Sequence, residues 1–259
     1  MISLLNEISL GYNERRVWAR LAGMAIQTQY KQNTLGPFWI SINTGVLIAA
    51  FSVVYSQILS APLDQHVLYV ATGLVCWYFF SSIVLKGCTA FIVSRQLILQ
   101  LPMPISVHVF RLLTQELIIF GYNCAVLVIV MILFKREFSW EVLMAIPAFI
   151  LILICGFFTA FLLAMVATRY RDVTSSVQAV IAPMMFLTPI IWSPESLENR
   201  PVFVSFNPFF HLIEIWRAPL IGGPIPAESW LFMLVVTLSM VIACAVLFSK
   251  YKNRIVFWL

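Results

Sequence analysis

Glu116 is the residue whose position most invites a chemical reading. It stands in an apolar run, with Thr114 and Gln115 beside it and Arg111 about one turn earlier. A carboxylate inside a membrane-length segment is a functional candidate, or one half of a pair that tolerates burial. Arg111 and a cation on another helix are both open as its partner. Around it the usual catalytic company is missing. His66, His108 and His211 are far apart and lack metal-ligand spacing. The chain has no G-x-x-x-x-G-K-[ST], no G-x-S-x-G and no H-E-x-x-H. Its carboxylates do not recur along the apolar segments as they would in an ion-driven pump. The five cysteines, Cys76, Cys88, Cys124, Cys155 and Cys244, sit in apolar surroundings without C-x-x-C spacing and read as small buried hydrophobes. No catalytic set, metal or cofactor is expected in this chain, and any energy it uses must come from elsewhere.

The elements that hold these residues follow from composition. The chain is 61% hydrophobic and only 10% charged, against about a quarter charged in soluble domains. It is expected to be a single all-α integral membrane unit covering 1–259. Six stretches reach the roughly 20 apolar residues that a crossing needs: 38–59, 67–91, 107–134, 144–168, 176–192 and 230–249. Lys86 interrupts the second, and its stem is expected to snorkel from a helix end. The fifth is short and carries Pro183 and Pro189, so it is expected to kink or unwind. Segment 193–228 is too polar to cross simply and reads as one or two half-inserted helices around Pro201–Phe206 and Pro208–Arg217.

Basic residues set the orientation. With the N-terminus inside, Arg15, Arg16, Arg20, Lys31, Lys86, Arg95, Arg111, Arg169, Arg171, Lys250, Lys252 and Arg254 lie inside. Lys135, Arg136, Arg200 and Arg217 lie outside, with Asp64, Glu137, Glu141, Glu195, Glu198, Glu214 and Glu228. Both termini are then cytoplasmic. The first thirty-odd residues hold several charges and no apolar core of a signal peptide.

Projected at 100° per residue, residues 15–31 place Arg16, Arg20, Gln27 and Lys31 on one stripe, with Val17, Trp18, Leu21, Met24 and Ala25 opposite. This predicts an amphipathic helix, residues 13–34, along the cytoplasmic membrane surface. Gly36-Pro37 ends it and starts the first crossing, where proline is tolerated. Such a helix serves either as an anchor or as a docking surface.

Five stretches now stand in order: YKQNTLGPFW after the basic helix, QLPMP in the second inside loop, RYRDV after the fourth span, TPIIW ending the fifth, and NPFFHLIEIWRAPLIG before the sixth. Together, along essentially the whole chain, they resemble the permease subunit of ABC-2 type polysaccharide exporters, the family that moves O-antigen, capsular polysaccharide and teichoic acid. The resemblance implies a multi-pass protein of the bacterial inner membrane, a second copy of the chain, and two separate P-loop ATPase subunits that bind ATP and Mg. It implies lipid-linked polysaccharide, with O-antigen first, as cargo, membrane lipids around it, and no nucleic acid.

Carried onto these residues, the resemblance makes Arg15, Arg16, Arg20, Lys31 and Arg169 candidates for capturing the cargo's pyrophosphate, which arginine's planar fork suits. Anionic lipid would attract the same residues. Arg16 and Arg20, with Leu101, Pro102 and Pro104, are the candidate ATPase-coupling surface, although two prolines can also simply close a turn. Phe51, Tyr55, Trp77 and Tyr78 are candidate channel-lining rings for sugar faces; an interfacial aromatic belt is the alternative. Tyr69 and the rings from Trp77 to Phe80, with Phe120 and Tyr122, share that ambiguity. Trp192, Pro208, His211 and Arg217 are gate candidates, unless 193–228 is an ordinary amphipathic loop. Two other readings remain: an ABC-2 exporter of small hydrophobic molecules, and a membrane glycosyl- or acyltransferase using Glu116, Asp172 or His211.

Overall fold

Runs of Leu, Ile, Val, Phe and Ala in hydrocarbon must satisfy every backbone polar group within the segment, which leaves the helix as the form available to them. The computed structural model describes residues 2–31, 34–59, 62–135, 140–194 and 202–259. Among them there are helices and no strand. Arg136, Glu137, Glu195, Glu198, Arg200 and Pro201, to which the sequence assigned sides or a turn, lie outside the described residues.

Two helices, α1 (Ile2–Asn13) and α2 (Arg15–Tyr30), precede the first long one. The long helices are α3 (Phe38–Ile58), α4 (Leu63–Val93), α6 (Ser106–Leu133) and α7 (Ala145–Arg169), the last continuous with a 3-10 turn at Trp140–Met144. Short α5 (Arg95–Gln100) joins α4 to α6. After α7 come α8 (Asp172–Leu187), the short α9 (Val202–Ser205), α10 (Pro208–Ile221), α11 (Ala227–Tyr251) and α12 (Ile255–Trp258). Among the described residues five helices are long and apolar enough to cross a bilayer: α3, α4, α6, α7 with its 3-10 turn, and α11. α8 has 16 residues, about 24 Å at 1.5 Å per residue, which is short of a ~30 Å hydrocarbon layer.

α4 is the axis of the bundle. It packs against α7, α6, α3 and α10, and 78% of its most apolar stretch is buried, against 17% for α3. Small residues allow the closest crossing. A Cβ on Gly87 would come within 2.9 Å of Ala160 Cα, so side-chain bulk there would force α4 and α7 apart, as at small-residue contacts between membrane helices generally. Higher up, Phe79, Phe120, Phe149 and Trp216 interlock at centroid distances of 4.7 to 5.7 Å, tying α4, α6, α7 and α10 together. Hydrogen bonds add direction: Thr44 meets Asn123 at 2.8 Å, and Ser41 donates to the Tyr122 carbonyl at 2.8 Å. These join α3 to α6.

The N-terminal region differs from the expectation of one surface helix over 13–34. It holds two helices, and the first has a structural job. Glu7 accepts from the backbone N–H of Ser106 at 3.3 Å, while Ser106 Oγ donates to the Glu7 carbonyl at 2.7 Å. An otherwise unpaired N–H at the start of α6 is thereby capped. The α2 face that packs inward is Trp18, Ala22 and Ile26, spaced i, i+4, i+8. Met24, expected on the apolar side with Trp18, is exposed. The projection separates polar from apolar, but it cannot separate an apolar face that meets protein from one that meets lipid.

Candidate functional site

The densest polar assembly lies where α8 ends. α8 tolerates Pro183 and stops at Leu187; Thr188 to Trp192 then run as bent, non-helical chain with Thr188, Pro189, Ile190 and Ile191 buried. Buried irregular backbone leaves carbonyls that need donors. Arg217 of α10 supplies them, with Nη1 donating to the Pro189 carbonyl at 2.9 Å and Nη2 to the Ile190 carbonyl at 3.4 Å. Tyr69 of α4 donates to the Pro189 and Trp192 carbonyls, each at 3.2 Å. The guanidinium is 0% exposed and lies 3.7 Å from the Tyr69 ring centroid. Glu214, one turn back, is 4.0 Å away. Gly73 faces the same guanidinium, and a Cβ there would collide with it. A planar cation with several donors, stacked on a ring, suits this place better than a lysine.

The same helix grips the segment at its start. Asn207 caps α10 by accepting from the Phe209 N–H at 2.9 Å, and its Nδ2 donates to Thr188 Oγ1 at 2.9 Å. Pro208 sits in the first turn, where its missing N–H costs nothing. His211 pairs with Ser229 Oγ of α11 at 2.9 Å and the Ser205 carbonyl of α9 at 2.8 Å, and stacks on Phe232 at 4.1 Å. Trp192 Nε1 donates to the Phe186 carbonyl at 3.1 Å. Gly222, at φ 74°, closes α10 in the left-handed conformation that glycine adopts freely. Trp192, Pro208, His211 and Arg217 therefore belong to one assembly, with Tyr69, Gly73, Thr188 and Asn207 as members that the sequence reading did not assign to it. An Asn-Pro pair opening an apolar helix was the available signal for Asn207.

The opposite end is built differently. Arg15, Arg16, Arg20 and Lys31 are exposed along α2. Arg169, also exposed, lies between the rings of Tyr170 and Trp258 at 5.7 and 5.4 Å. Leu101 and Pro102 are exposed, and Pro104 is half-buried, in an extended link between α5 and α6. The inside loop that carries QLPMP is helical up to Gln100. Lys86 does not snorkel from a helix end. It lies seven residues before the end of α4 and reaches sideways to Glu116, Nζ to Oε1 2.6 Å. Arg111 is not the partner of Glu116, because five residues along a helix turns the side chain by about 140°; Arg111 Nη1 donates to Ser94 Oγ at 3.4 Å instead.

Most of both assemblies falls inside a single family match, with Arg15, Arg16, Ser229, Phe232 and Trp258 beyond its ends. The ABC-2 type transporter model covers residues 18–221, from α2 through α10. The chain belongs to the ABC-2 type transporter family. Two relatives share its length. The O-antigen export system permease protein RfbA of Klebsiella pneumoniae is 23% identical over 235 residues, 88% of this chain and 89% of that one. The Myxococcus xanthus protein of the same name is 20% identical over 259 residues, 98% of each.

In this ABC-2 chain the four candidate channel rings are not gathered. Phe51 and Tyr55 form an edge-on pair on α3 at 6.3 Å, half-buried. Trp77 is buried against Phe209 of α10 at 5.1 Å, so it packs α10 onto α4. Tyr78, one residue on and turned by about 100°, is half-buried. Phe120 is a core ring, and Tyr122 meets Phe38 at 5.8 Å.

Proposed function

We propose that this chain is the membrane-spanning subunit of an ATP-driven exporter of lipid-linked polysaccharide, with O-antigen as the leading cargo. The observation that carries the reading is end-to-end similarity to two proteins named as O-antigen export permeases. ABC-2 membership implies a partner ATPase, and this chain carries no P-loop of its own. This reading takes the basic end as the docking side, and the exposure of Arg16, Arg20, Leu101 and Pro102 supports it. In the same reading α8 together with 188–192 makes a sixth crossing, both termini are cytoplasmic, and two copies of the chain and two ATPases form the bacterial inner-membrane complex. The outward apolar faces of α3 and α11 are available for that pairing.

α9 and α10 then form a re-entrant element near the outer mouth. Irregular backbone at membrane depth is tolerated where protein buries it, and the Arg217, Tyr69 and Asn207 contacts meet that condition for 188–192. Arg15, Arg16, Arg20, Lys31 and Arg169 remain the pyrophosphate candidates, and Phe51, Tyr55 and Tyr78 the ring candidates for sugar contact.

The test is deletion of the chain in its native cell, followed by lipid extraction from inverted and right-side-out membrane vesicles. The expected result is lipid-linked glycan accumulating on the cytoplasmic face, restored to export by the wild-type chain together with its co-purifying ATPase. Normal surface glycan in the deletion strain, or purification without any ATPase in several mild detergents, would overturn the reading.

A further inference from the structure

A cleft of about 230 Å³ opens between α2, α4 and α6, at the end of the bundle where α4 finishes and α6 begins. Its walls include Ala25, Lys86, Ser94, His108, Arg111 and Gln115. That volume is large against the ~30 Å³ that one water occupies in the liquid. Three of these six side chains are cationic or imidazole groups, and a fourth is an amide. Glu116 already neutralises Lys86. Arg111 has no carboxylate partner among the described residues, and its one side-chain hydrogen bond, to Ser94 Oγ, is long at 3.4 Å.

His108 supplies the independent observation. It is 2% exposed, it lines the cleft, and neither ring nitrogen has a partner. Buried polar groups in native proteins are almost always hydrogen-bonded, and an exception calls for an unfilled ligand position or a water. At least one ring nitrogen carries a proton, and that N–H has no acceptor among the described residues, beside a space that Arg111 makes positive.

We propose that this cleft is a phosphate-binding site. The chemistry is a tetrahedral anion with several acceptor oxygens, which Arg111 meets with its fork, with His108, Ser94 and Gln115 as the further polar groups of the same walls. The exposed arginines of α2 and Arg169 do not line this cleft, so the proposal does not depend on the exported cargo being a glycan. Two sources of such a group exist, a lipid headgroup and free phosphate.

The experiment is calorimetric titration of the full-length chain in a neutral detergent with three probes: dihexanoyl phosphatidylglycerol, farnesyl pyrophosphate and inorganic phosphate. Tighter binding of the two lipid probes assigns the cleft to a headgroup, and equal or tighter binding of inorganic phosphate assigns it to the free anion. In either case Arg111→Gln should weaken the preferred probe at least tenfold, and Arg111→Lys less, because the lysine keeps charge without the fork. Ala25→Phe removes no charge and fills the cleft from α2, so it should produce the same loss; it also keeps the test intact if Arg111→Gln folds poorly. Arg171→Gln, an exposed cation outside the cleft, should change nothing. Absence of binding for all three probes, or binding that Arg111→Gln and Ala25→Phe leave unchanged, overturns the proposal.

Discussion

The two ends of this bundle handle charge in opposite ways. At the α10 end a single arginine is fully buried and holds backbone carbonyls, while Asn207 and His211 tie the same stretch to its neighbours. At the basic end most cations are exposed, and the buried carboxylate Glu116 is satisfied by a lysine whose own side chain is 39% exposed. The first arrangement fixes a non-helical segment in one shape. The second leaves charge free to meet something outside the chain. Buried polar networks are costly when half-satisfied, so the α10 end should fail steeply when a member is lost, and the basic end should not.

Arg217→Leu should be the most damaging single change. It strands the Pro189 and Ile190 carbonyls and leaves an ill-fitting gap beside Tyr69, for a loss of roughly 3–5 kcal/mol, read as a large drop in thermal unfolding temperature in detergent. Gly73→Ala should act in the same direction with smaller size, because its methyl would push on the guanidinium. A melting temperature within a degree or two of wild type for Arg217→Leu would erase the contrast between the ends.

The Lys86–Glu116 pair should show an asymmetry. Lys86→Met leaves a carboxylate that is 1% exposed without its cation, and should cost about 2 kcal/mol, below the range for fully buried pairs because the lysine side chain is 39% exposed. Glu116→Gln leaves a lysine able to turn toward water, and should cost less than ~1 kcal/mol. Equal losses would mean that the pair is fully shielded, for instance by a second copy of the chain covering Lys86.

Asn207→Ala should cost about 1–2 kcal/mol, since it removes a helix cap and the donor to Thr188 together. Asn207→Asp keeps the cap and loses the donor, so its own loss relative to wild type measures the tie between α10 and the 188–192 segment, and the difference between the two variants isolates the cap. If both variants cost the same, the cap contributes nothing measurable and the tie to Thr188 carries the whole effect.

Much of this contrast was legible in the sequence, and the part that was not has a physical cause. Apolar run lengths located the long helices to within a few residues, because hydrocarbon leaves little choice of backbone form. Pro183 and Pro189 announced a weakened α8, and the chain does leave the helix at Thr188. Arg217 and His211 were named as gate candidates through the family resemblance. What they bond to was invisible, because neither composition nor periodicity says which part of the chain folds back on them: Arg217 meets the Pro189 carbonyl 28 positions earlier, and Tyr69 reaches the same carbonyl from 120 positions away. The pairing of Lys86 with Glu116 was hidden for the same reason. α1 was missed although Leu4, Ile8 and Tyr12 recur every four residues; α1 is short and has no basic stripe to draw attention, and its value lies in capping α6 with Glu7.

The smallest structural effect should come from the double charge reversal Arg16→Glu with Arg20→Glu. Both side chains are exposed on α2, opposite the face where Trp18, Ala22 and Ile26 pack, so stability should stay within about 0.5 kcal/mol of wild type. Association with the partner ATPase should nevertheless fall, because complementary charge at an interface sets partner choice and association rate more than fold. Co-purification at low and moderate salt measures it: the expected outcome is a weakened complex for the variant alongside an unchanged melting temperature. Unchanged co-purification would move the docking surface off α2 and onto the Leu101–Pro104 link. A lowered melting temperature with intact co-purification would mean that these arginines, like Arg217 at the other end, are part of the fold.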